Sequence, residues 1–508
     1  MGRPSSTSKS RRSESSSGSS SQAGTSSKSL FAEARRLAQQ ASRKPEGPSR
    51  SAALRTCVEL FRNGLSLPQS AKEREEALFD LGEVLLQLCS STQAEASHVR
   101  GFFDGTVKKA QAAELQVQNA VRAAGICRES AEAFESVCTM KGQLEQEGLV
   151  NNGVALCDCA ELALEIPEAN GGGVGVSKEL LSRAHERYSA ALQVAPVDVE
   201  LLMNYADCRV RMAELEFDYP TASSTSGRWE VVRGMYDQAL SAYASGCANA
   251  DARIGDDLAG LLHNWASGII SLAERSSDLD EIFKLALTAQ EKFASAIKFR
   301  PTDTSIKVGM GECFAGLVDK LAGMVGSTQQ LLDLLRISCD EGYAAALKVD
   351  SKNPAALLGL GDAHLSAGKL VAERGQLQAQ GHYGQSVQAF QQAFDLLKAG
   401  KWFRGFVLAY VYRLVLGGFP NLRNVAEYVF AIADMEKTSS FKYEELCDFL
   451  YNYACAAALS GNVPKASECI EHLLSLGAVI LEEAEKDPDL GSLRSLFQSR
   501  MGLATPSS

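Results

Sequence analysis

From about Leu30 onward, apolar residues recur three and four positions apart in long segments rich in Ala and Leu, and strand-type alternation is scarce. That period puts one apolar stripe on each of a succession of amphipathic helices. Pro and Gly fall mostly between these segments, where the rigidity of one and the freedom of the other end a helix. No βαβ rhythm is visible. The pattern predicts an all-α chain.

The helices also repeat. "YSAALQVAPVDVELLMNYAD" from Tyr188, "FASAIKFRPTDTSIKVGMGE" from Phe293 and "YAAALKVDSKNPAALLGLGD" from Tyr343 share an aromatic residue, an Ala three positions later, a polar break and a second helix start. Ala191 and Ala206, Ala296 and Gly311, and Ala346 and Gly361 are each fifteen residues apart. A helix end, a tight turn and a new helix need such a spacing if two small residues are to let neighbouring helices approach.

These residues resemble the tetratricopeptide repeat, a helix-turn-helix unit of about 34 residues. "LYNYACAAALSGNVPKASECIEHL" from Leu450 looks like the same unit, with Ala454 in the small position and Gly461 and Ala466 spaced as its turn expects. Weaker matches centre on Gly82, Ala155 and Ala266, and "VQAFQQAFDLL" at Val387 followed by "WFRGFVLAYVY" at Trp402 reads as another pair. The resemblance implies an α-solenoid over residues 51–475, behind an arm at 1–50 and followed by a capping helix segment at 476–500 and a tail at 501–508. In one respect the chain departs from the family. Its breaks come late, at Pro167 to Gly175, Pro220 to Gly227, Ser276 to Asp278 and Gly323 to Ser327, so each first helix is expected to run one or two turns long.

The first of those breaks, "EIPEANGGGVGVSKELL", superficially suggests a phosphate-binding loop. Such a loop needs a preceding strand and Lys before Ser or Thr; here a helical segment precedes, and Ser177 comes before Lys178. It reads as a flexible hinge between helices.

Composition narrows the function classes. Of the 508 residues, 45% are apolar, enough for a large core. The first thirty residues are nearly half Ser and bury little, so they read as disordered: a phosphorylatable linker, or alternatively a plastid transit peptide. Residues 1–50 hold ten Lys/Arg against three Asp/Glu, yet the whole chain carries a net charge of −11, so the body is acidic and argues against nucleic acid as a ligand. No run of eighteen apolar residues appears; "GFVLAYVYRLVLGGF" from Gly405 is short and carries Arg413. Thirteen Cys without C-x-x-C spacing read as reduced core residues, Cys157 and Cys159 included. A soluble cytoplasmic protein is expected, with plastid or nucleus as alternatives.

No Ser/His/Asp or H-E-x-x-H arrangement is present and the six His are scattered, so no enzyme, cofactor or metal is expected. The alternative is a site in an unrecognised segment, residues 90–150 matching the repeat least well. Asp487, Asp489 and Arg494 read as the cap and first turn of a closing helix.

The resemblance implies an adaptor or assembly scaffold that binds a protein or peptide in a groove, with a chaperone-linked or organelle assembly factor as the alternative. In that family the residue after the small position usually faces the groove. Here it is Asp207, Ser267, Glu312 and Asp362; Met203, Arg211 and His263 are further groove candidates from the same helices. A line of acids favours a Lys/Arg-rich partner. Family members that grip carboxylate tails use Asn and Lys/Arg at set positions. Asn152, Asn204, Asn264 and Asn452 are candidates for the middle Asn, but the basic positions hold Ser305 and Gly309, Gly260 and Asn264, or Glu200 and Asn204. That clamp is not expected in its usual form.

Overall fold

The computed structural model describes residues 26–44, 48–100, 106–221, 228–250, 255–322, 324, 328–372, 376–399, 443–476 and 481–500; among them every regular element is helical. In chain order these are α1 (Ser27–Ser42), α2 (Pro48–Leu65), α3 (Ala71–Arg100), α4 (Thr106–Met140), α5 (Glu145–Glu165), a 3-10 turn (Glu168–Asn170), α6 (Val174–Val194), α7 (Val199–Asp218) and α8 (Arg228–Asn249). There follow α9 (Gly255–Arg275), α10 (Leu279–Phe299), α11 (Thr304–Leu321), α12 (Thr328–Arg336), a π-helical turn (Ile337–Tyr343), α13 (Ala344–Val349), α14 (Pro354–Ala372) and α15 (Gln376–Ala399). The chain closes with α16 (Tyr443–Leu459), α17 (Val463–Leu476), α18 (Leu481–Lys486), a 3-10 turn (Pro488–Leu493) and α19 (Arg494–Arg500).

Helices pack as consecutive pairs, α3 with α4, α5 with α6 and so on to α16 with α17. The first helix of each pair also touches the first helix of the next, in the order α5, α7, α9, α11, α14, α16, whereas the second helices are not packed on one another in this way. Closer approach on one side curves the stack, with the first helices on its inner face. Asp198, Asp303 and Asn353 open α7, α11 and α14 by accepting the N–H of Leu201 (3.0 Å), Ser305 (2.9 Å) and Ala356 (3.0 Å). Each such cap is worth about 1 kcal/mol.

The core repeats one joint: an aromatic ring of the second helix sits in the gap left by a missing side chain on the first. A Cβ on Gly82 would lie 2.6 Å from the Phe134 ring, on Gly153 2.5 Å from Tyr188, on Gly311 2.7 Å from Tyr343 and on Gly361 2.4 Å from Phe390. Ala206 and Ala266, fully buried, share cores with Tyr243 and Phe293. The small residue of α5 that meets its ring is therefore Gly153 and not Ala155. Four residues before the ring, Ser130 Oγ donates to Gly82 O (2.8 Å) and Ser386 Oγ to Gly361 O (2.7 Å). Ser338 Oγ makes the same bond to Gly311 O (2.8 Å) from five residues before Tyr343. The π-helical turn takes up that extra residue, so bond and ring both stay in place.

Several boundaries differ from expectation. Helix α1 lies inside the segment read as an arm, because Phe31, Ala34 and Ala41 are buried against α2 and α3. The glycine stretch is a built turn and not a loose hinge: Gly171 and Gly173 have φ of 81° and 91°, and Gly173 N–H donates to Ala163 O (2.7 Å). Lys178 Nζ is spent on Glu216 (2.7 Å) and Thr221 (3.0 Å), not held out for phosphate. The first helices do run long, 21 residues in α5 and α9 and 20 in α7. The break at Ser276 to Asp278 is only three residues, closed by Asp278 as the cap of α10. At the carboxyl end Leu490, Leu493 and Phe497 are buried against the array, as a closing segment requires. The segments from Trp402 and Gly405, residues 1–25 and the tail lie outside the described residues. No described helix is long and apolar enough to cross a membrane.

Candidate inner-face binding site

Counting from the small residue of each first helix, side chains on the inner face fall into a fixed register. The residue at +1 meets the residue at −2 of the next first helix, and the residue at +8 meets the next one's +5. At +1, Asn264 Nδ2 donates to Asp207 Oδ2 (3.0 Å) and Asn452 Nδ2 to Asp362 Oδ1 (3.0 Å). In the two junctions between them the −2 residue is Gly309 or Gly359. The His263 ring occupies the space beside the first and the Tyr343 ring the space beside the second, so neither junction carries that side-chain bridge. At +8, Glu161 pairs with Arg211 (2.5 Å) and Glu214 accepts from Ser271 Oγ (2.5 Å). Glu274 follows, its Oε1 lying 3.4 Å from where a Cβ on Gly316 would be. Contacts of this register are thus seen from α5 to α11 and again between α14 and α16.

The seven expected groove residues fall unevenly on this lattice. Asp207 was expected to face the groove, but it is half-buried and accepts from both Tyr243 Oη and Asn264. Burial nonetheless pushes its carboxyl above the usual range, against the pull of those two bonds. Asp362 is held in the same manner by Asn452, because an Asn stands opposite each. Glu312 faces glycine, and its side chain is exposed. Ser267 Oγ donates to His263 O (3.1 Å). His263 meets Phe293 edge-on at 5.5 Å, its Nδ1 is buried without a hydrogen-bond partner, and burial lowers its pKa. Arg211 is engaged with Glu161, while Met203 packs beside Leu202 and Ala206.

The sequence reading missed the second acidic row, Glu161, Glu214, Glu274 and Asp319. Seven residues beyond the first row, about two turns of helix, it had a signal in the helical period itself. Between the rows, Ser271, Gly316 and Ser366 are small, so the floor is shallow. Partial loss of solvent to the neighbouring helices pushes upward the carboxyls of half-buried Glu274 and, although they remain exposed, of Glu312 and Asp319. Asp158 reaches about 6, through burial first and the charge of Glu161 second. Acids held this way gain from a cation that replaces lost solvation.

Two other candidate clusters resolve into packing. Cys157 and Cys159, two apart on a helix, point to different neighbours: Cys157 joins the core around Tyr188 and Cys159 that around Cys127. Cys455, Asp487 and Asp489 bring donor atoms within 4.8 Å of one another. Asp487 caps the 3-10 turn (Asp489 N, 2.9 Å) and takes Tyr451 Oη (2.5 Å), Asp489 pairs with Lys369 (2.5 Å), and burial raises the Cys455 thiol to about 12. Asp487 and Asp489 are thus the cap and first turn of the closing segment, and Arg494 begins α19.

The chain is an α-helical repeat protein. No family model matches it, and no curated protein matches it. Among solved structures it is similar to the S. pombe nuclear import adaptor Nro1, at 12% identity and a TM-score of 0.36 over 71% of this chain and 99% of that one. It is also similar to a circular tandem repeat protein with novel repeat topology, at 13% identity and 0.32 over 94% and 99%. The human IFIT1 dimer with PPP-AAAA is similar at 14% identity and a TM-score of 0.20 over 89% of this chain and 95% of that one.

Proposed function

We propose that the chain is a non-catalytic, tetratricopeptide-like scaffold that binds a Lys/Arg-rich protein segment along its inner face. The observation that carries this reading is the pair of acidic rows on α9 and α11, where Glu274, Glu312 and Asp319 flank the small residues Ser271 and Gly316. An extended basic chain fits such a floor, and its charges would offset the desolvation that these carboxyls already bear. Asp207 and Asp362 contribute field but are tied into the array, and Asn264 and Asn452 are spent on them rather than on a peptide backbone. A carboxylate-tail clamp is disfavoured on the same grounds.

The test is fluorescence-anisotropy titration of a Lys/Arg-rich peptide against an acidic peptide of equal length, at low and physiological salt. Binding of the basic peptide should weaken as salt rises. Glu274→Lys, Glu312→Lys and Asp319→Lys together should weaken it tenfold or more, mainly through slower association, with the helical circular dichroism unchanged. Equal affinity of the folded triple variant and the wild type would refute this site.

A further inference from the structure

The inner face leaves unexplained a polar cluster at the joint of α14, α15 and the π-helical turn. Two of the six His, eighteen residues apart, meet there. His364 Nδ1 and His382 Nδ1 are 3.4 Å apart, with ring centroids at 5.6 Å. The sulfur of Cys339, on the π turn, lies 4.0 Å from the same His364 Nδ1. His364 is eight residues before the end of α14 and His382 six after the start of α15, so the antiparallel hairpin brings them level. Both rings are half-buried and reachable from solvent, while Cys339 is 5% exposed.

We propose that His364 and His382 form a two-histidine site for a borderline divalent transition metal such as Zn²⁺, with Cys339 drawn in as a thiolate ligand. Two imidazole nitrogens bound to one tetrahedral Zn²⁺ at about 2.0–2.1 Å are separated by about 3.4 Å, the spacing found here, and the two rings, which meet nearly end-on, tilt on binding so that both lone pairs reach one ion. A tetrahedral S–Zn–N angle needs sulfur and nitrogen about 3.6 Å apart, so Cys339 must turn inward on binding. Its thiol proton leaves to solvent as the metal–sulfur bond forms, and water completes the shell. The neutral imidazole is the ligating form, and a ring nitrogen of each His faces the other here. The π turn is the second, independent pointer. By inserting one residue between Ser338 and Tyr343 without disturbing either, it gives room for Cys339 and Asp340 beside α14, and such turns recur at functional sites. The ion would staple the second helix of one repeat to both helices of the next.

Titration of the full chain with Co²⁺, followed by displacement with Zn²⁺, tests this. One equivalent should give visible d–d absorption with a sulfur-to-cobalt charge-transfer band in the near ultraviolet. Cys339→Ser should keep the ion and lose that band. His364→Ala with His382→Ala should lower affinity a hundredfold or more. X-ray absorption of the Zn²⁺-loaded wild type, which needs no variant to fold, should show two imidazole nitrogens. No uptake at micromolar metal, a first shell of oxygen alone, or tight binding that survives the double His variant would each overturn the proposal; in the first case the contact is only a hydrogen bond between neutral imidazoles.

Discussion

The junctions between first helices are of two kinds. From α7 to α9 and from α14 to α16, an Asp at +1 is bridged to an Asn at −2, so the side chains facing the inner surface tie the array together. From α9 to α11 and from α11 to α14, glycine stands at −2 and the ring of His263 or Tyr343 fills the gap, and Glu312 is exposed. An acid at the same repeat position is therefore structural in one junction and available in another. Its role is set by the residue facing it and not by its own identity.

The largest effect should come from the joint that both kinds share. Gly311→Val places branched carbon where the Tyr343 ring already lies 2.7 Å from a Cβ, and should cost about 3 kcal/mol in denaturant unfolding. Five residues on, Gly316 is exposed, and Gly316→Ala should be neutral or stabilise by up to about 1 kcal/mol through helix propensity. Equal losses at the two positions would mean the ring-on-glycine joint does not define the repeat.

Next comes the contrast between the acids. Asp207→Ala leaves Tyr243 Oη and Asn264 unpaired in a half-buried place, at a cost of about 1–3 kcal/mol. Glu312→Ala should stay within about 0.5 kcal/mol of wild type. A double-mutant cycle of Asp207 with Asn264 should show coupling, and none would mean that the bridge is incidental.

The smallest effect concerns an unbridged acid on α5. The folded pKa of Asp158, about 6, is raised above the unfolded value of about 3.9. The native state then holds the extra proton, so the penalty is absent below about pH 4, grows as pH rises towards 6 and is constant above. Asp158→Asn should stabilise by about 1 kcal/mol at pH 7, after allowance for solvent screening, and by nothing at pH 4. A gain that is the same at both pH values would point to packing instead.

How much of this could be read beforehand follows from the range of each interaction. The helical period, the rings of Tyr188, Phe293 and Tyr343 and the fifteen-residue spacing are local, and they led to the fold. The glycine turn was harder: Gly173 closes on Ala163 only because its φ is positive, which makes ordered structure from a sequence that looks loose. The bridges were out of reach. Asp207 and Asn264 are 57 residues apart and Asp362 and Asn452 are 90 apart, so their meeting depends on how successive pairs stack. The His364–His382 contact needed the register between α14 and α15, which no local pattern supplied.

The placing of two glycine junctions between two bridged ones also has a mechanical meaning. A curved stack of helix pairs is a spring, and bonds between its inner coils act as braces against bending and twist. Here the braces stand at α7–α9 and α14–α16, while the coils between them meet through glycine and a ring, with a long Cys313 Sγ to Ser267 Oγ contact (3.9 Å) between α9 and α11. Under load, strain should gather in the α9–α11–α14 span, and the pitch of the stack should change there first. That span carries Glu274, Glu312 and Asp319, so a partner seated on those acids would be held by the most compliant coils of the spring, between two stiffer ends.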